Sequence, residues 1–154
     1  MPVQLAGRLA NPDRAALGDA CPLDRAMQVV GTRSAVLLMR EALYGTRRFD
    51  DFATRVGITD AVAATRLKEL VAVGLLERQP YQEPGQRTRY EYVLTDSGRD
   101  LLPALVALAS WATEHVPHKT GPTATHDECG SPVRAVLRCD AGHVVGVEEL
   151  IVSG

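Results

Sequence analysis

The sequence lacks three features that would place it in other classes of protein. No apolar run approaches the roughly 18 to 20 residues of a membrane-spanning helix, so we expect no integral membrane protein. The first segment, MPVQLAGRLANPDRAALGD, is too polar and too acidic for a secretory leader, which predicts a cytoplasmic protein. An excess of positive charge is also missing: the net charge is −2, which argues against non-specific coating of nucleic acid.

Catalytic motifs are missing as well. The sequence contains no P-loop, no GxSxG, no HExxH and no GxGxxG. His115 and His118 lie near the end of a predicted helix without an evident acid or nucleophile as a partner, so solvated side chains are expected there. We therefore expect no enzymatic activity and no cofactor.

The length of 154 residues suits one compact domain with an appendage. Residues 1–20 have no sustained apolar period and predict a mobile arm or a loose helical lead-in. A main domain is expected over residues 21–116, followed by a Gly/Pro/Thr-rich linker over residues 117–125. Residues 126–154 then predict a small ribbon-like appendage, with two strands around the Asp140–His143 turn.

Apolar residues at helical spacing predict four helices in the first half of the main domain. The first three are expected over residues 22–30, 33–44 and 48–56. Gly57 ends the third, and Thr59 or Asp60 supplies the capping oxygen for the fourth. Two helices joined by a short turn with a glycine are typical of a helix-turn-helix.

Two strand-like segments follow, over residues 75–81 and 89–94, with a turn at 83–86. The fold class expected is therefore α+β, mainly α, with a small β wing. A long helix from Thr95 to about Val116 should bend at Pro103 and carries two apolar stripes, of which only one can pack on its own domain. The second stripe predicts a homodimer. The residues expected in the dimer interface are Leu101, Leu102, Leu105, Val106, Leu108 and Trp111.

Residues 58–95 carry the functional prediction, because a helix with a polar face stands beside an arginine-bearing hairpin. Such a helix reads a major groove while the hairpin contacts the flanking backbone. The residues expected to contact DNA are Thr59, Val62, Thr65, Arg66, Lys68, Gln86, Arg87 and Arg89. Arg66 suits a guanine edge, and the wing arginines suit phosphate or a narrow minor groove.

The charge balance of this region leaves an alternative open. Between positions 44 and 92, eight Lys or Arg residues stand against seven carboxylates. Binding would therefore depend on a few well-placed side chains, and each of these, taken alone, could be an ordinary solvated charge. A winged-helix adaptor that binds protein and not DNA is the second hypothesis.

An ordered series of motifs resembles the HxlR-type transcriptional regulators, which are related in fold to the MarR group. The motifs are Cys21-Pro22, Gly31, Arg48-Phe49-Asp50, the stretches RLKEL at 66–70, GLLER at 74–78 and YEYVLT at 90–95, and the helix from Leu102-Pro103 to Trp111. The resemblance spans about residues 21–116. It implies a homodimeric winged helix-turn-helix protein that binds a DNA operator, with its N-terminal and long C-terminal helices building the dimer.

Cys21 is a candidate redox sensor. It stands at the cap of a predicted helix, where the helix dipole favours the reactive thiolate. Some members of the family that it resembles sense oxidants or electrophiles with a cysteine at this place. The other interpretations are a buried thiol that never reacts, and a small apolar effector bound between the domain and the dimer helices.

The tail carries His126, Cys129, Cys139 and His143 in an H-x2-C and C-x3-H arrangement. Four such ligands could hold zinc, and two facing cysteines could form a disulfide. The spacing departs from paired C-x2-C knuckles, so a metal-free ribbon is the favoured expectation.

Overall fold

The computed structural model describes residues 3–117 and 120–154. The helices and strands follow one another in the order β1 (Gln4–Ala6), α1 (Pro22–Val30), α2 (Arg33–Leu43), α3 (Phe49–Val56), α4 (Asp60–Ala72), β2 (Leu76–Tyr81), β3 (Arg89–Leu94), α5 (Asp96–Asp100), α6 (Leu102–His115) and β4 (Ile151–Ser153). Short 3-10 turns lie at Gly7–Ala10, Gly18–Ala20 and Val147–Glu149.

Local sequence signals set the bounds of the first four helices. Pro22 occupies the first turn of α1, where its missing N–H costs no helical hydrogen bond. Thr32 and Thr59 cap α2 and α4, each hydroxyl accepting a hydrogen bond from a backbone N–H of the first turn. Gly57 ends α3 with φ +71°, a left-handed conformation that favours glycine. The predicted helices and the predicted wing strands are confirmed.

One core lies between α2, α3, α4 and the wing formed by β2 and β3. Its largest fully buried side chains are Phe52, Leu38, Met39, Leu67, Leu70 and Leu76. The ring of Tyr92 on β3 meets Phe52 edge-on, with ring centroids 6.1 Å apart. The wing is therefore packed on the helices at its base.

Thr95 and Gly98 fix the connection between β3 and α5. The Thr95 hydroxyl donates to the carbonyl of Gly74 at 2.6 Å and accepts from the Gly98 amide at 3.1 Å. A Cβ at Gly98 would collide with the carbonyl oxygen of Leu75. Only glycine therefore lets α5 pack this closely on the end of α4.

The single long helix expected over residues 95–116 is instead two helices, α5 and α6, which meet at Leu101. Pro103 falls in the first turn of α6 and does not bend a continuous helix. A first-turn position has no intrahelical acceptor to lose, which is why the proline is tolerated there.

The expected mobile arm differs from the structure, in which Gln4–Ala6 pair in parallel with Ile151–Ser153. Leu9 is buried. The Gln4 amide donates to the carbonyl of Leu150 at 3.0 Å, and this bond and the pairing with β4 hold the segment against the tail. Positions 1 and 2 of the arm lie outside the described residues.

The tail also differs from the expected pair of strands. Between residues 125 and 150, which the structure describes throughout, ladder pairing is limited to the isolated bridges Thr125↔Pro132 and Arg138↔Val144. Valines and leucines of this segment, such as Val136 and Leu137, are exposed. Because so much of its apolar surface stays in water, little favours a longer hairpin, and β4 pairs with β1.

Within the described ranges no helix is long and apolar enough to cross a bilayer.

Candidate nucleic-acid interface

The helix α4 presents one face to the core and the opposite face to solvent. Ala63, Leu67 and Leu70 are buried, because positions three and four apart share a side of a helix. Val62, Thr65 and Lys68 are exposed on the other side. The sequence prediction of which side faces outward is confirmed by this burial pattern.

Two threonines of this region make hydrogen bonds to the backbone of α4. Thr59 accepts the amide of Val62 at 3.4 Å, and the Thr65 hydroxyl donates to the Ala61 carbonyl at 3.0 Å. The Thr65 oxygen retains its acceptor capacity, so it can receive a hydrogen bond from a base amino group. Thr59 is positioned at the start of α4, where backbone N–H groups favour anions such as phosphate.

Arg66 is held by a carboxylate on the same helix. Its Nη1 lies 2.6 Å from Oε2 of Glu69, one turn further along, with the side chains 34% and 51% exposed. The pair leaves other guanidinium N–H groups available and fixes the direction of the side chain. The sequence analysis did not predict this ion pair.

The wing presents its candidate residues on an exposed loop. Tyr81 at the end of β2 pairs with Arg89 at the start of β3, and the loop between them carries Gln86 and Arg87. Gln82 donates to the backbone carbonyl of Gln86 at 2.8 Å, which closes the loop. Throughout the ranges described, Lys68, Arg87 and Arg89 take part in no ion pair, so their charges are available to a partner.

Sequence reasoning missed two arginines that stack on wing tyrosines. The Cζ atom of Arg48 lies 3.4 Å from the ring centroid of Tyr81, and that of Arg78 lies 4.0 Å from the ring centroid of Tyr90. Arg78 and Tyr90 both belong to the wing, whereas Arg48 connects the wing to α3. The register of the hairpin makes Arg78 and Tyr90 diagonal neighbours, which could have suggested their stack, whereas no local pattern points to the stack of Arg48.

Cys21 is the N-cap residue of α1, as expected, and it is half-buried. Its side chain makes no capping hydrogen bond. It lines a surface depression of about 550 Å³ together with Asp24 and the segment 12–18.

The residues expected to form a dimer lie along α6, which contains no buried residue. Leu102, Leu108 and Trp111 are 46%, 56% and 58% exposed. Leu101, Leu105 and Val106 are partly buried. Exposed apolar side chains therefore lie on more than one side of this helix, because Leu102 and Trp111 are nine positions apart and point in opposite directions.

A groove of about 860 Å³ lies beside α6, with Leu102, Leu105, Val106 and Leu108 in its lining. Its walls come from α2, from α6, and from the segments 120–124 and 132–134 of the tail. The lining is mainly apolar, with Arg40 at the α2 wall and an ion pair between Arg134 and Glu114, at 3.0 Å, on the tail side. Pockets of this size and composition are typical of small-molecule sites.

The tail residues singled out by the sequence form two separate pairs. Sγ of Cys129 lies 3.4 Å from Nδ1 of His126, and Sγ of Cys139 lies 3.6 Å from Nδ1 of His143. Hydrogen bonds from the Ser131 hydroxyl and backbone lower the pKa of the exposed Cys129 thiol. The described residues contain no group of three or more potential ligands that could hold a metal ion.

All three cysteines are free. His115 lies beside Trp111, with ring centroids 5.9 Å apart, and 3.9 Å from Glu114. His118 lies outside the described residues.

The helix pair α3–α4 and the hairpin β2–β3 together define a winged helix-turn-helix protein. A model of the HxlR-like helix-turn-helix family matches residues 29–120, and the chain belongs to this family. The resemblance noted from the sequence is thereby confirmed.

Similar proteins support this assignment. An HTH-type transcriptional regulator of Mycobacterium tuberculosis, itself uncharacterised, is 41% identical over 117 residues, which cover 75% of this chain and 73% of the relative. The crystal structure of PA1607, proposed to be a transcription factor, superposes with a TM-score of 0.77 at 30% identity and covers 89% of this chain and 96% of its own. The redox regulator HypR in its reduced form superposes with a TM-score of 0.55 at 27% identity, covering 61% of this chain and 92% of its own. The protein is a transcriptional regulator of the helix-turn-helix type, and the family consists of regulators, not enzymes.

Proposed function

We propose that the protein binds a pseudo-palindromic DNA operator as a homodimer, with α4 in the major groove and the wing on the flanking backbone. One observation carries the proposal: the outward face of α4 and the wing loop together present polar and basic side chains to solvent, and Lys68, Arg87 and Arg89 among them make no ion pair in the described ranges. Arg66, Lys68 and Thr65 supply base and phosphate contacts from α4, with Val62 against a thymine methyl and Thr59 at the helix start. Gln86, Arg87 and Arg89 supply contacts from the wing.

Exposed apolar residues of α6 support the dimer. Leu102, Leu108 and Trp111 are large apolar side chains that stay exposed on this helix, and such surface marks interaction sites. Leu101 and Leu105 pack against the core, so a partner would cover the apolar surface that the chain itself leaves open. Two recognition helices would then be spaced by about 34–36 Å, one turn of DNA.

DNA binding is tested by retention of the purified protein on random and selected duplexes across a salt series. A regulator should show log K falling linearly with log salt, with a slope of about −0.9 for each phosphate contact. A flat salt dependence would favour the adaptor hypothesis, which draws support from the net charge of −2 and from carboxylates that already pair Arg66 and Arg48.

Two places suit the signal that controls binding. Cys21 is accessible at the start of α1, and a structurally similar protein, HypR, is named a redox regulator. The groove beside α6 suits a small effector with an apolar body, because α2 and α6 would move together around it. Treatment of the wild type and of Cys21→Ser with diamide, followed by DNA binding, separates these routes: an oxidant effect that survives in Cys21→Ser rules out Cys21.

A further inference from the structure

We propose that Arg48 is a positioning residue for DNA binding, which fixes the wing against α3 so that Arg87 and Arg89 reach the backbone while α4 lies in the groove. The inference rests on the proposed DNA-binding function and adds a residue that would not itself touch the DNA. In the sequence, Arg48 was predicted only as a helix start and as part of the Arg48-Phe49-Asp50 motif, with no role in DNA binding.

The side chain of Arg48 is free to reach the wing. Arg48 is the N-cap residue of α3 and makes no capping hydrogen bond with its side chain. Its guanidinium lies over Tyr81, with Cζ 3.4 Å from the ring centroid, and its Nη2 lies 3.4 Å from Oε1 of Glu83. A planar cation stacks on an aromatic face in a way that the ammonium of lysine does not reproduce.

The loop that carries Arg48 is anchored firmly to the helices. Thr46 is 3% exposed; its hydroxyl accepts from Nη1 of Arg55 at 2.7 Å and donates to Oε2 of Glu41 at 3.4 Å. Glu41 is in turn paired with Arg40 at 2.6 Å. A buried polar network with every member satisfied holds backbone rigidly, so Arg48 starts from a fixed point.

Arg47 and Arg48 hold different parts of the wing. The Arg47 carbonyl accepts the amide of Tyr92 at 2.9 Å, and its Nη1 lies 3.4 Å from Oε1 of Glu91. These contacts fix the inner part of β3. Arg48 reaches further out, to the point where β2 ends and the wing loop begins.

The outer wing depends on this one connection. Tyr81 is paired in register with Arg89, so fixing Tyr81 also fixes the strand position of Arg89. In the described part of the chain, residues 84–88 make no hydrogen bond or ion pair to any helix. Arg87 therefore takes its position from the base of the loop, where Arg48 acts through Tyr81 and Glu83.

The test compares Arg48→Ala, Arg48→Lys and Tyr81→Ala with Arg78→Ala as the matched control. Arg78 makes the same kind of stack, on Tyr90 at 4.0 Å, but both partners lie within the wing. Affinity is measured for duplexes that the wild type selects from random-sequence DNA. We expect Arg48→Ala, Arg48→Lys and Tyr81→Ala to weaken binding about tenfold and to lower the salt slope by about 0.9 for each phosphate that the wing no longer reaches. Arg78→Ala should leave both unchanged, and Tyr81→Phe should restore them.

A double-mutant cycle distinguishes positioning from direct contact. If Arg48 positions the wing, removing Arg87 and Arg89 together should cost little more in the Arg48→Ala background. Additive effects, or full binding by Arg48→Lys, would show that Arg48 contacts phosphate as a plain charge and would overturn the proposal.

Amide hydrogen exchange of the free protein gives a readout that needs no DNA. Residues 82–91 should exchange faster in Arg48→Ala and Arg48→Lys than in the wild type or Arg78→Ala. Unchanged exchange overturns the inference. If the wild type binds no DNA, the proposed function fails by itself, while exchange still decides whether Arg48 holds the wing.

Discussion

The helices α4 and α6 are nearly equal in length, 13 and 14 residues, yet they pack in opposite ways. α4 buries Ala63, Leu67 and Leu70, whereas α6 buries no residue, although its sequence is the more apolar. Neighbouring elements on three sides hold α4, while α6 lies chiefly against α2. The apolar content of a helix indicates how much of its surface must be shielded from water. Only the fold shows whether the same chain provides that shielding or a partner must.

The largest expected effect is on the buried side of α4. Leu67→Ala should lower the free energy of unfolding by about 2–5 kcal/mol, because it removes a fully buried side chain and leaves a cavity. Leu108→Ala on α6, at 56% exposure, should change the stability of the monomer by less than about 0.5 kcal/mol. Urea denaturation at several protein concentrations measures both, and equal destabilisation would contradict the comparison.

Substitution of an exposed apolar residue of α6 should instead change the dissociation constant of the proposed dimer. Trp111→Glu should weaken the proposed dimer by about 2 kcal/mol or more, since it places a charge in the centre of an apolar contact. Val136→Glu is the matched control, because Val136 is 63% exposed but lies in the tail. Sedimentation equilibrium gives the dissociation constants. An unchanged dissociation constant for Trp111→Glu would show that Trp111 lies outside the dimer interface.

Substitutions on the outward side of α4 should lower the affinity for DNA. Arg66→Ala should cost about 1–3 kcal/mol of specific binding and relax the preference at one base. Arg99→Ala offers the control, because Arg99 makes a similar pair on α5, 2.9 Å from Asp96. A gel shift with the selected duplex measures the affinity of both variants. An unchanged base preference for Arg66→Ala would show that Arg66 does not contact a base.

The smallest effect is expected in the tail. The lowered pKa of Cys129 means that its thiolate forms at lower pH than that of an ordinary cysteine, whose pKa is about 8.5. Alkylation of Cys129 should therefore begin at lower pH in the folded protein than after unfolding. Ser131→Ala should shift the onset of alkylation to higher pH, because it removes the hydroxyl that stabilises the Cys129 thiolate. Peptide mass mapping of labelled protein at a series of pH values measures the shift.

Much of the winged fold could be predicted from the sequence, because short-range signals determine it. Pro22, Thr59 and Gly57 set helix ends through local chemistry, and alternation along residues 89–94 indicated the wing strand. The outward face of α4 followed from helical spacing alone. These features depend on neighbours a few positions apart, which a sequence displays directly.

The features that escaped prediction depend on partners distant in the chain or on side-chain orientation. The division at Leu101 was missed because a proline fits both a bend in one helix and the first turn of a new one, and Pro103 takes the second role. The packing of Gly98 on the Leu75 carbonyl joins positions that are distant in the chain. The stack of Arg48 on Tyr81 joins positions that are far apart in sequence. The residues proposed for DNA contact stay predictions, since their role depends on a partner outside the chain.

The parallel pairing of β1 with β4 has a kinetic consequence. Its partners are separated by nearly the whole described chain, as in the hydrogen bond between Gln4 and the Glu148 carbonyl, 144 positions apart. Closing so long a loop costs entropy and returns only three paired residues on each side. We therefore expect this small sheet to form last and to open first. The same tail supplies walls of the groove beside α6, so we expect opening of this sheet, the smaller of the two in the described residues, to loosen the tail and to speed the exchange of a molecule between that groove and solvent.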